Sequence, residues 1–187
     1  MIVCPAHGTG SACGGAIAER TWTTIGLERL HNPRLAAAGR DEFIAGVARQ
    51  LPKPPYFGRV ERLNLEGPVK GHSPMPRPLS ADEVEAMVGD DGAFVLDTRM
   101  EAGFGAAHVS GSVSVWLDGV PRYSGWFLPQ DRPIVLVGEE GQAAHAARYL
   151  FRLGFDDVRG YLAGGMLAWH TAGKAAASVR TVSVEGL

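Results

Sequence analysis

The sequence predicts an α/β fold in which a parallel sheet carries helices on both faces and is preceded by a mainly helical segment. Two observations lead to this prediction. Between residues 79 and 172, short apolar runs alternate with helical stretches, which is typical of parallel strands joined by crossover helices. Residues 21–66 instead show helical spacing interrupted by prolines, without a hydrophobic core of their own.

Composition places the chain among ordinary globular proteins. Of its 187 residues, 45% are hydrophobic and 20% are charged, and the net charge is -2. No basic stripe is present, so we expect no nucleic-acid partner. We also expect no membrane partner, because no apolar run approaches the roughly 18 residues of a membrane span and the first residues lack the features of a signal peptide. Two cysteines indicate a reducing compartment, and we predict a cytoplasmic location.

The first 66 residues predict a strand, a loop and short helices. Ile2-Val3-Cys4 has the pattern of a strand end, but the residues that follow offer it no partner strand. Residues 5–15 form a glycine-rich loop whose spacing does not fit a dinucleotide site. Three short helices are predicted: from a Thr23-Thr24 cap to Leu30, over 41–50, and over 56–65. This segment has the pattern of the tail of a larger domain.

A linker and a second domain follow. The prolines and glycines of residues 67–78 sustain neither a helix nor a central strand, so we place the boundary there. Ser80 caps the next helix, with Glu83 at the capping-box position. The predicted strands are 94–96, 112–117, 134–137 and 158–162, and the predicted helices are 81–88, 142–153 and 166–171. Residues 79–175 therefore form one domain, and 176–187 are a tail or the start of a second copy, because 181–187 echo 78–84.

The strand–loop–helix at residues 133–145 is the architectural centre of this domain. A β-branched run stops at a glycine, and a polar loop and an alanine-rich helix follow, an arrangement that often houses chemistry in α/β folds. None of the loop residues is a Cys, Ser, Thr or Lys; they are Gly138, Glu139, Glu140, Gly141, Gln142 and Ala143.

Residues 77–172 resemble a rhodanese homology domain. The carrying motifs are the opening 79–83, the Asp-x-Arg signature in Asp97-Thr98-Arg99, the turn 107–112 and the closing segment 154–169. Active rhodaneses carry a cysteine directly after the central strand, and its thiolate takes a sulfane sulfur as a persulfide. The resemblance places Gly138 at that cysteine and Ala143 at an assisting arginine. It thus implies a degenerate loop without a catalytic residue, beside which Asp97 and Arg99 stand.

Residues 1–66 resemble the C-terminal end of a metallo-β-lactamase fold, closest to the persulfide dioxygenase and glyoxalase-II-like proteins. The carrying residues are 5–14, 19–29 and Asn32-Pro33. The intact family holds iron or zinc and acts on low-molecular-weight thiol or persulfide substrates. His7 matches the last ligand, a vestigial one at the second metal position, and the other ligands are absent. Since three protein ligands are the usual minimum, we expect no metal or other cofactor in this chain.

For single residues the structural interpretation is favoured over a functional one. We expect His7 to be a loop histidine, Cys4 and Cys13 to be packing residues, and Asp97 and Arg99 to tie strand ends together. The aromatic and acidic candidates are treated likewise: His108 and His145 as satisfied structural histidines, Trp116, Trp126 and Trp169 as core or interface residues, and Glu139 and Glu140 as solvated residues that cap a helix.

These observations favour a catalytically silent rhodanese-like module. It would act as a docking or structural domain of a metallo-β-lactamase/rhodanese fusion in sulfur metabolism, with a protein partner or a second copy bound. Two alternatives remain open. The chain is a fragment of a metal-dependent hydrolase or persulfide dioxygenase whose activity resides in a missing N-terminal part, or it is a sulfurtransferase that uses Cys4 or Cys13.

Overall fold

The computed structural model describes residues 1–7, 18–36, 39–48, 53–67, 75–180 and 182–183. The chain divides into two compact units, Met1–Pro52 and Lys53–Leu187. No helix among the described residues is both long and apolar enough to cross a membrane.

The first unit starts with a small antiparallel sheet. Strand β1 (Ile2–Val3) pairs with β2 (Thr23–Thr24), with Ile2 opposite Thr24. The expectation that the first strand lacks a partner is therefore wrong, because a two-residue strand is too short to leave a periodic pattern in the sequence. Helix α1 (Ile25–His31) begins directly afterwards, and Thr24 Oγ1 accepts the Leu27 N–H over 3.2 Å. The predicted threonine cap is thus confirmed.

A 3₁₀ turn (Pro33–Ala36) and helix α2 (Arg40–Val47) complete the described part of this unit. The predicted helix at 41–50 is confirmed through Val47, and its last two residues lie outside the described ones. None of the described residues up to 48 is buried, in line with a segment that has no core of its own.

The second unit contains six helices and seven strands among its described residues. In chain order they are α3 (Phe57–Glu66), β3 (Arg77–Leu79), α4 (Ala81–Gly89), β4 (Phe94–Asp97), α5 (Glu101–Ala106), β5 (His108–Val109), β6 (Val113–Ser114), α6 (Val120–Phe127), β7 (Ile134–Val137), α7 (Ala143–Arg152), β8 (Val158–Leu162), α8 (Gly165–Thr171) and β9 (Ala176–Ala177). A short 3₁₀ turn at Leu117–Gly119 precedes α6.

Five strands form one parallel sheet in the order β3-β8-β7-β4-β6. This confirms the predicted α/β class. The prediction places Arg77 and Pro78 of β3 in the linker because of the prolines at 76 and 78, but an edge strand tolerates Pro78. Strand β6 is shorter than the predicted 112–117, since the chain turns into the 3₁₀ turn after Trp116. Ser80 and Glu83 form the predicted capping box.

Two hydrophobic clusters cover the two faces of the sheet. Alternate strand residues point to opposite faces, so Val95 and Val135 pack with α4 and α8, whereas Leu96 and Leu136 pack with α6 and α7. Helices on both faces follow from this alternation, as predicted.

Helix α3 packs on the same unit. Arg59 Nη2 bonds to Asp156 Oδ2 over 2.8 Å, and Arg59 Nη1 donates to Gln130 O over 3.3 Å. The Tyr56 ring lies so close to Gly125 that a Cβ there would overlap it. The predicted boundary at 67–78 puts α3 in the first domain, whereas the compact units divide at Pro52/Lys53. Residues 68–74 of the predicted linker lie outside the described ones.

A second small sheet joins the end of the described chain to the domain. Strand β9 pairs antiparallel with β5, and the Val179 N–H donates to Gly105 O over 2.8 Å. The predicted tail at 176–187 therefore starts inside the fold. A second copy of the domain stays a prediction, because residues 181 and 184–187 lie outside the described ones.

Candidate functional site

The carboxyl ends of β4 and β7 lie side by side at one edge of the sheet. Asp97 pairs with Val137 in register, and Thr98 follows β4. The Thr98 N–H donates to Val137 O over 2.7 Å, and its hydroxyl donates to the same oxygen over 3.2 Å. Ligands of open parallel sheets bind outside the carboxyl ends of the strands. The loop 138–142, which follows Val137, is therefore the candidate site.

A turn closes this loop on itself. The Gln142 N–H donates to Glu139 O over 3.2 Å, and Gly141 has a φ of 79° at the third position of the turn, where glycine is favoured. The Gln142 side chain turns back, and its Oε1 accepts the Glu139 N–H over 3.2 Å. The Glu139 N–H is a backbone donor that an anion in the loop would need, and it already has Gln142 Oε1 as its partner.

Gly138 packs against Thr98. A Cβ on residue 138 would stand 2.5 Å from Thr98 Oγ1 and 3.5 Å from Gln142 Oε1. The first distance is shorter than real Cβ contacts allow, and Thr98 is buried with its hydroxyl bonded to Val137 O. Any side chain at position 138 therefore requires the Thr98 hydroxyl to move.

Asp97 and Arg99 form a bidentate ion pair beside the loop. Arg99 Nε donates to Asp97 Oδ1 over 3.0 Å, and Arg99 Nη2 donates to Asp97 Oδ2 over 2.6 Å. Arg99 Nη2 also donates to Ala107 O over 2.7 Å, and Asp97 is fully buried. Both side chains are thus engaged within the fold, where they tie the end of β4 to the segment before β5, in agreement with the structural interpretation.

Glu139 and Glu140 are exposed, as expected. They do not cap α7, however, because Gln142 occupies its N-cap position. The Gln142 side chain makes no capping bond to the helix and bonds instead to the Glu139 N–H. The two carboxylates add negative charge to the loop.

His7 is the one residue that the resemblance matches to a metal ligand. His7 is exposed in a bend, and within the described ranges no group of three or more His, Cys, Asp or Glu side chains is placed to hold a metal ion. The described residues therefore do not fit the iron or zinc that the resemblance implies for the intact family. Cys4 is an exposed free thiol, so its prediction as a packing residue is wrong. The interpretation of Cys13 falls outside the described residues.

The remaining candidates are two histidines and three tryptophans, of which the structure buries some and exposes others. His108 is buried, lies 2.8 Å from Phe104 O through Nδ1 and stacks on the Phe104 ring, which confirms a structural histidine. His145 is exposed on α7. Trp169 is a core residue, as predicted, and its Nε1 donates to Ala175 O over 2.9 Å. Trp116 and Trp126 are each 42% exposed, so they are not core residues, and their interface role stays a prediction.

Sequence reasoning gave no role to Thr98 and overlooked how Trp116 is held. A Cβ on Gly119 would stand 2.9 Å from the Trp116 indole, and the Tyr123 ring lies 5.3 Å from it. Their positions could have pointed to them. Thr98 directly follows β4 and Trp116 comes two residues after β6, and both strands end at the edge that bears loop 138–142.

Comparison with known proteins identifies the second unit. The rhodanese-like domain family matches residues 80–172. The thiosulfate sulfurtransferase GlpE of Shewanella oneidensis is 33% identical over 95 residues, which cover 50% of this chain and 92% of that protein. The chain belongs to the rhodanese-like domain family.

Solved structures share the fold. A metallo-beta-lactamase from Staphylococcus aureus subsp. aureus COL matches with a TM-score of 0.69 and 24% identity, covering 86% of this chain and 44% of that chain. The rhodanese-like domain of the Alr3790 protein from Anabaena sp. matches with a TM-score of 0.50 and 23% identity, covering 58% and 86%. The chain thus spans less than half of the S. aureus protein, and a metallo-β-lactamase-fold neighbour fits the helical region that precedes the sheet.

Proposed function

We propose that the rhodanese-like domain of this chain is catalytically silent and serves as a docking or structural module of a metallo-β-lactamase/rhodanese fusion in sulfur metabolism. The observation that carries the proposal is the packing of Gly138. The family resemblance puts the nucleophilic cysteine at this position. Here the residue has no side chain, and the buried Thr98 hydroxyl lies 2.5 Å from where a Cβ would stand.

The contacts of the loop support the same proposal. A rhodanese-type reaction needs backbone donors that hold an anion. The Glu139 N–H already donates to Gln142 Oε1, and two exposed carboxylates stand in the loop, where they repel an incoming thiosulfate.

A sulfur-transfer assay tests the proposal. The full chain is incubated with thiosulfate and cyanide, with the S. oneidensis sulfurtransferase as a positive control and a Cys4→Ser/Cys13→Ser variant as a thiol-free control. We expect no thiocyanate above the thiol-free control. Turnover by the unmodified chain that the thiol-free variant lacks would overturn the proposal.

A second candidate is sulfur transfer, and the name and 33% identity of the curated relative favour it. A thiolate of Cys4 or Cys13 would attack the sulfane sulfur of thiosulfate, break its S–S bond and release sulfite, leaving a persulfide. Neither cysteine lies in loop 138–142. Intact-protein mass spectrometry after incubation with thiosulfate separates the candidates, since a mass gain of one sulfur on either thiol supports transfer.

A third candidate is a part of a larger metal-dependent enzyme, with activity in a missing N-terminal part. It is favoured by the S. aureus match, of which this chain covers 44%. Such an enzyme would act on a low-molecular-weight thiol or persulfide in the cytoplasm. Metal analysis of the purified chain tests whether this chain alone binds a metal. We expect no stoichiometric iron or zinc. A full equivalent of either would contradict the proposal that the chain has too few ligands.

A further inference from the structure

Exposed apolar and acidic side chains share the sheet edge that carries loop 138–142. Met100 follows β4, Trp116 follows β6, and Leu167 lies near the start of α8; they are 60%, 42% and 78% exposed. Because the five strands are parallel, their carboxyl ends meet at this edge. We call these three residues and the neighbouring exposed acids the carboxyl-edge surface; the acids are Glu101, Asp118, Glu139 and Glu140.

Hydrogen bonds around Thr98 bring together the segments that carry these residues. The Thr98 N–H donates to Val137 O, and Thr98 O accepts the Leu117 N–H over 3.0 Å. Each of these three positions has a surface residue within two residues of it: Met100 near Thr98, Trp116 near Leu117, and Glu139 near Val137. A Cβ on Gly165 would stand 3.5 Å from Gly138 O, so the start of α8 reaches the same loop.

Trp116 is held in place although it is exposed. Its indole packs on the backbone of Gly119 and lies 5.3 Å from the Tyr123 ring at a tilt of 44°. An aromatic side chain that is fixed before binding loses little conformational entropy when a partner covers it, and tryptophan is enriched among the residues that dominate binding energies.

The charge around these apolar side chains is negative. None of the four acids forms an ion pair with a described residue. Among the nearby cations, Arg99 is paired with Asp97, and Arg122 lies over the Tyr123 ring at 5.4 Å. The carboxyl-edge surface therefore presents apolar groups beside four carboxylates that have no ion-pair partner among the described residues.

We propose that the carboxyl-edge surface binds a segment of another protein in which basic side chains stand beside apolar ones. The proposal rests on the docking function proposed above and names the partner's chemistry. Complementary charge steers and orients such a segment, and burial of the three apolar side chains supplies affinity. A second copy of this chain does not fit the same surface, because a twofold contact would bring like carboxylates together.

Peptide binding tests this inference. The probe is a fluorescein-labelled peptide of lysine and leucine, compared by fluorescence anisotropy with two matched peptides. One has glutamate in place of lysine, and the other has glycine in place of leucine. We expect the lysine–leucine peptide to bind the full chain at least about fivefold more tightly than either comparison peptide.

Variants locate the binding on the surface. Glu139→Gln/Glu140→Gln should weaken binding and reduce its salt dependence, because rim charges act through long-range attraction. Leu167→Ser and Met100→Ser should weaken it at every salt concentration, and both alter exposed side chains, so folding is retained. The matched control is Asp90→Asn/Asp91→Asn, which changes the net charge equally between α4 and β4, at the opposite end of the strand. This control should leave binding unchanged.

Several outcomes would overturn the inference. These are equal binding of all three peptides, equal weakening by the two double variants, and a concentration-dependent dimer that Leu167→Ser abolishes, which would assign the surface to a second copy. These outcomes differ from a failure of the proposed catalytic silence. Sulfur-transfer activity would appear as thiocyanate in the transfer assay, independently of how the peptides bind.

Discussion

The Thr98 hydroxyl occupies the space that a side chain on Gly138 would need. Its Oγ1 lies 2.5 Å from the ideal Cβ position and is fixed by a bond to Val137 O. The two residues belong to different strand ends that the register Asp97 to Val137 brings together. A threonine after β4 and a glycine after β7 are therefore packed as a pair.

Gly138→Ala should destabilise the fold through this pair. Overpacking a filled site costs about 1–3 kcal/mol, and the added Cβ meets a buried hydroxyl. Thr98→Ala removes that hydroxyl. Adding Gly138→Ala to the Thr98→Ala variant should therefore cost much less stability than adding it to the unmodified protein. Urea denaturation of the four proteins measures the coupling, and additive effects would contradict the packing.

Gly125→Ala should weaken the docking of α3. A Cβ there would overlap the Tyr56 ring, whereas Gly58, within α3 itself, has open space around it. We expect a loss of about 1–3 kcal/mol for Gly125→Ala and faster hydrogen exchange in α3. Gly58→Ala is the control and should be neutral or stabilising by up to about 1 kcal/mol, because alanine is the better helix former. Equal stability of the two variants would show that α3 is not packed on Gly125.

Asp97→Asn should be the most damaging of the ion-pair substitutions. It leaves the Arg99 guanidinium, whose side chain is 13% exposed, without its counter-charge, and breaking a buried pair costs about 3–5 kcal/mol. The exposed pair of Asp157 and Arg159 gives the comparison: Asp157→Asn should cost no more than about 1 kcal/mol. Thermal and urea unfolding measure both, and similar losses would mean that Asp97 is not buried with its partner.

The capping box of α4 should respond to acid. Hydrogen bonds from Arg77 and from the Ser80 backbone lower the pKa of Glu83 from 4.5 to about 2. A carboxyl whose folded pKa is depressed stabilises the fold above its unfolded pKa, and the contribution is lost as the pH falls from 4.5 through about 2. Carbon NMR should show Glu83 titrating near the lower value.

A variant checks that assignment. The urea midpoint of Glu83→Gln should fall less steeply with acid over the same pH range than that of the unmodified protein, while Glu66→Gln, at the end of α3, should follow the unmodified curve. Parallel acid curves for all three proteins would contradict the role of the capping box.

The parallel sheet was predictable because its central strands are buried on both faces. Runs such as Ile134–Val137 are apolar throughout, and Ser80 with Glu83 marks a helix start by chemistry alone. Short elements left no such pattern. Strand β2 has two residues and serves as a helix cap as well, and β3 contains a proline that only an edge position permits.

The candidate loop could be located from sequence, but its contacts could not. Gly138 stands where a buried strand ends, which periodicity shows. The approach of Thr98 depends on which strand lies next to β7, and the closing bond from Gln142 Oε1 to the Glu139 N–H depends on a rotamer. Exposure of Trp116 likewise follows from the 3₁₀ turn at Leu117–Gly119, which replaces the predicted continuation of the strand.

The folded unit extends past the family match at both ends, which matters for how the domain can be cut or transplanted. Excision at residues 80 and 172 would remove α3 and β3 on one side and β9 on the other. Gly125 would lose its cover, and β8 and β5 would each be left with an open edge, a known route to aggregation. A version that keeps these contacts has to run from Lys53 to at least Val179.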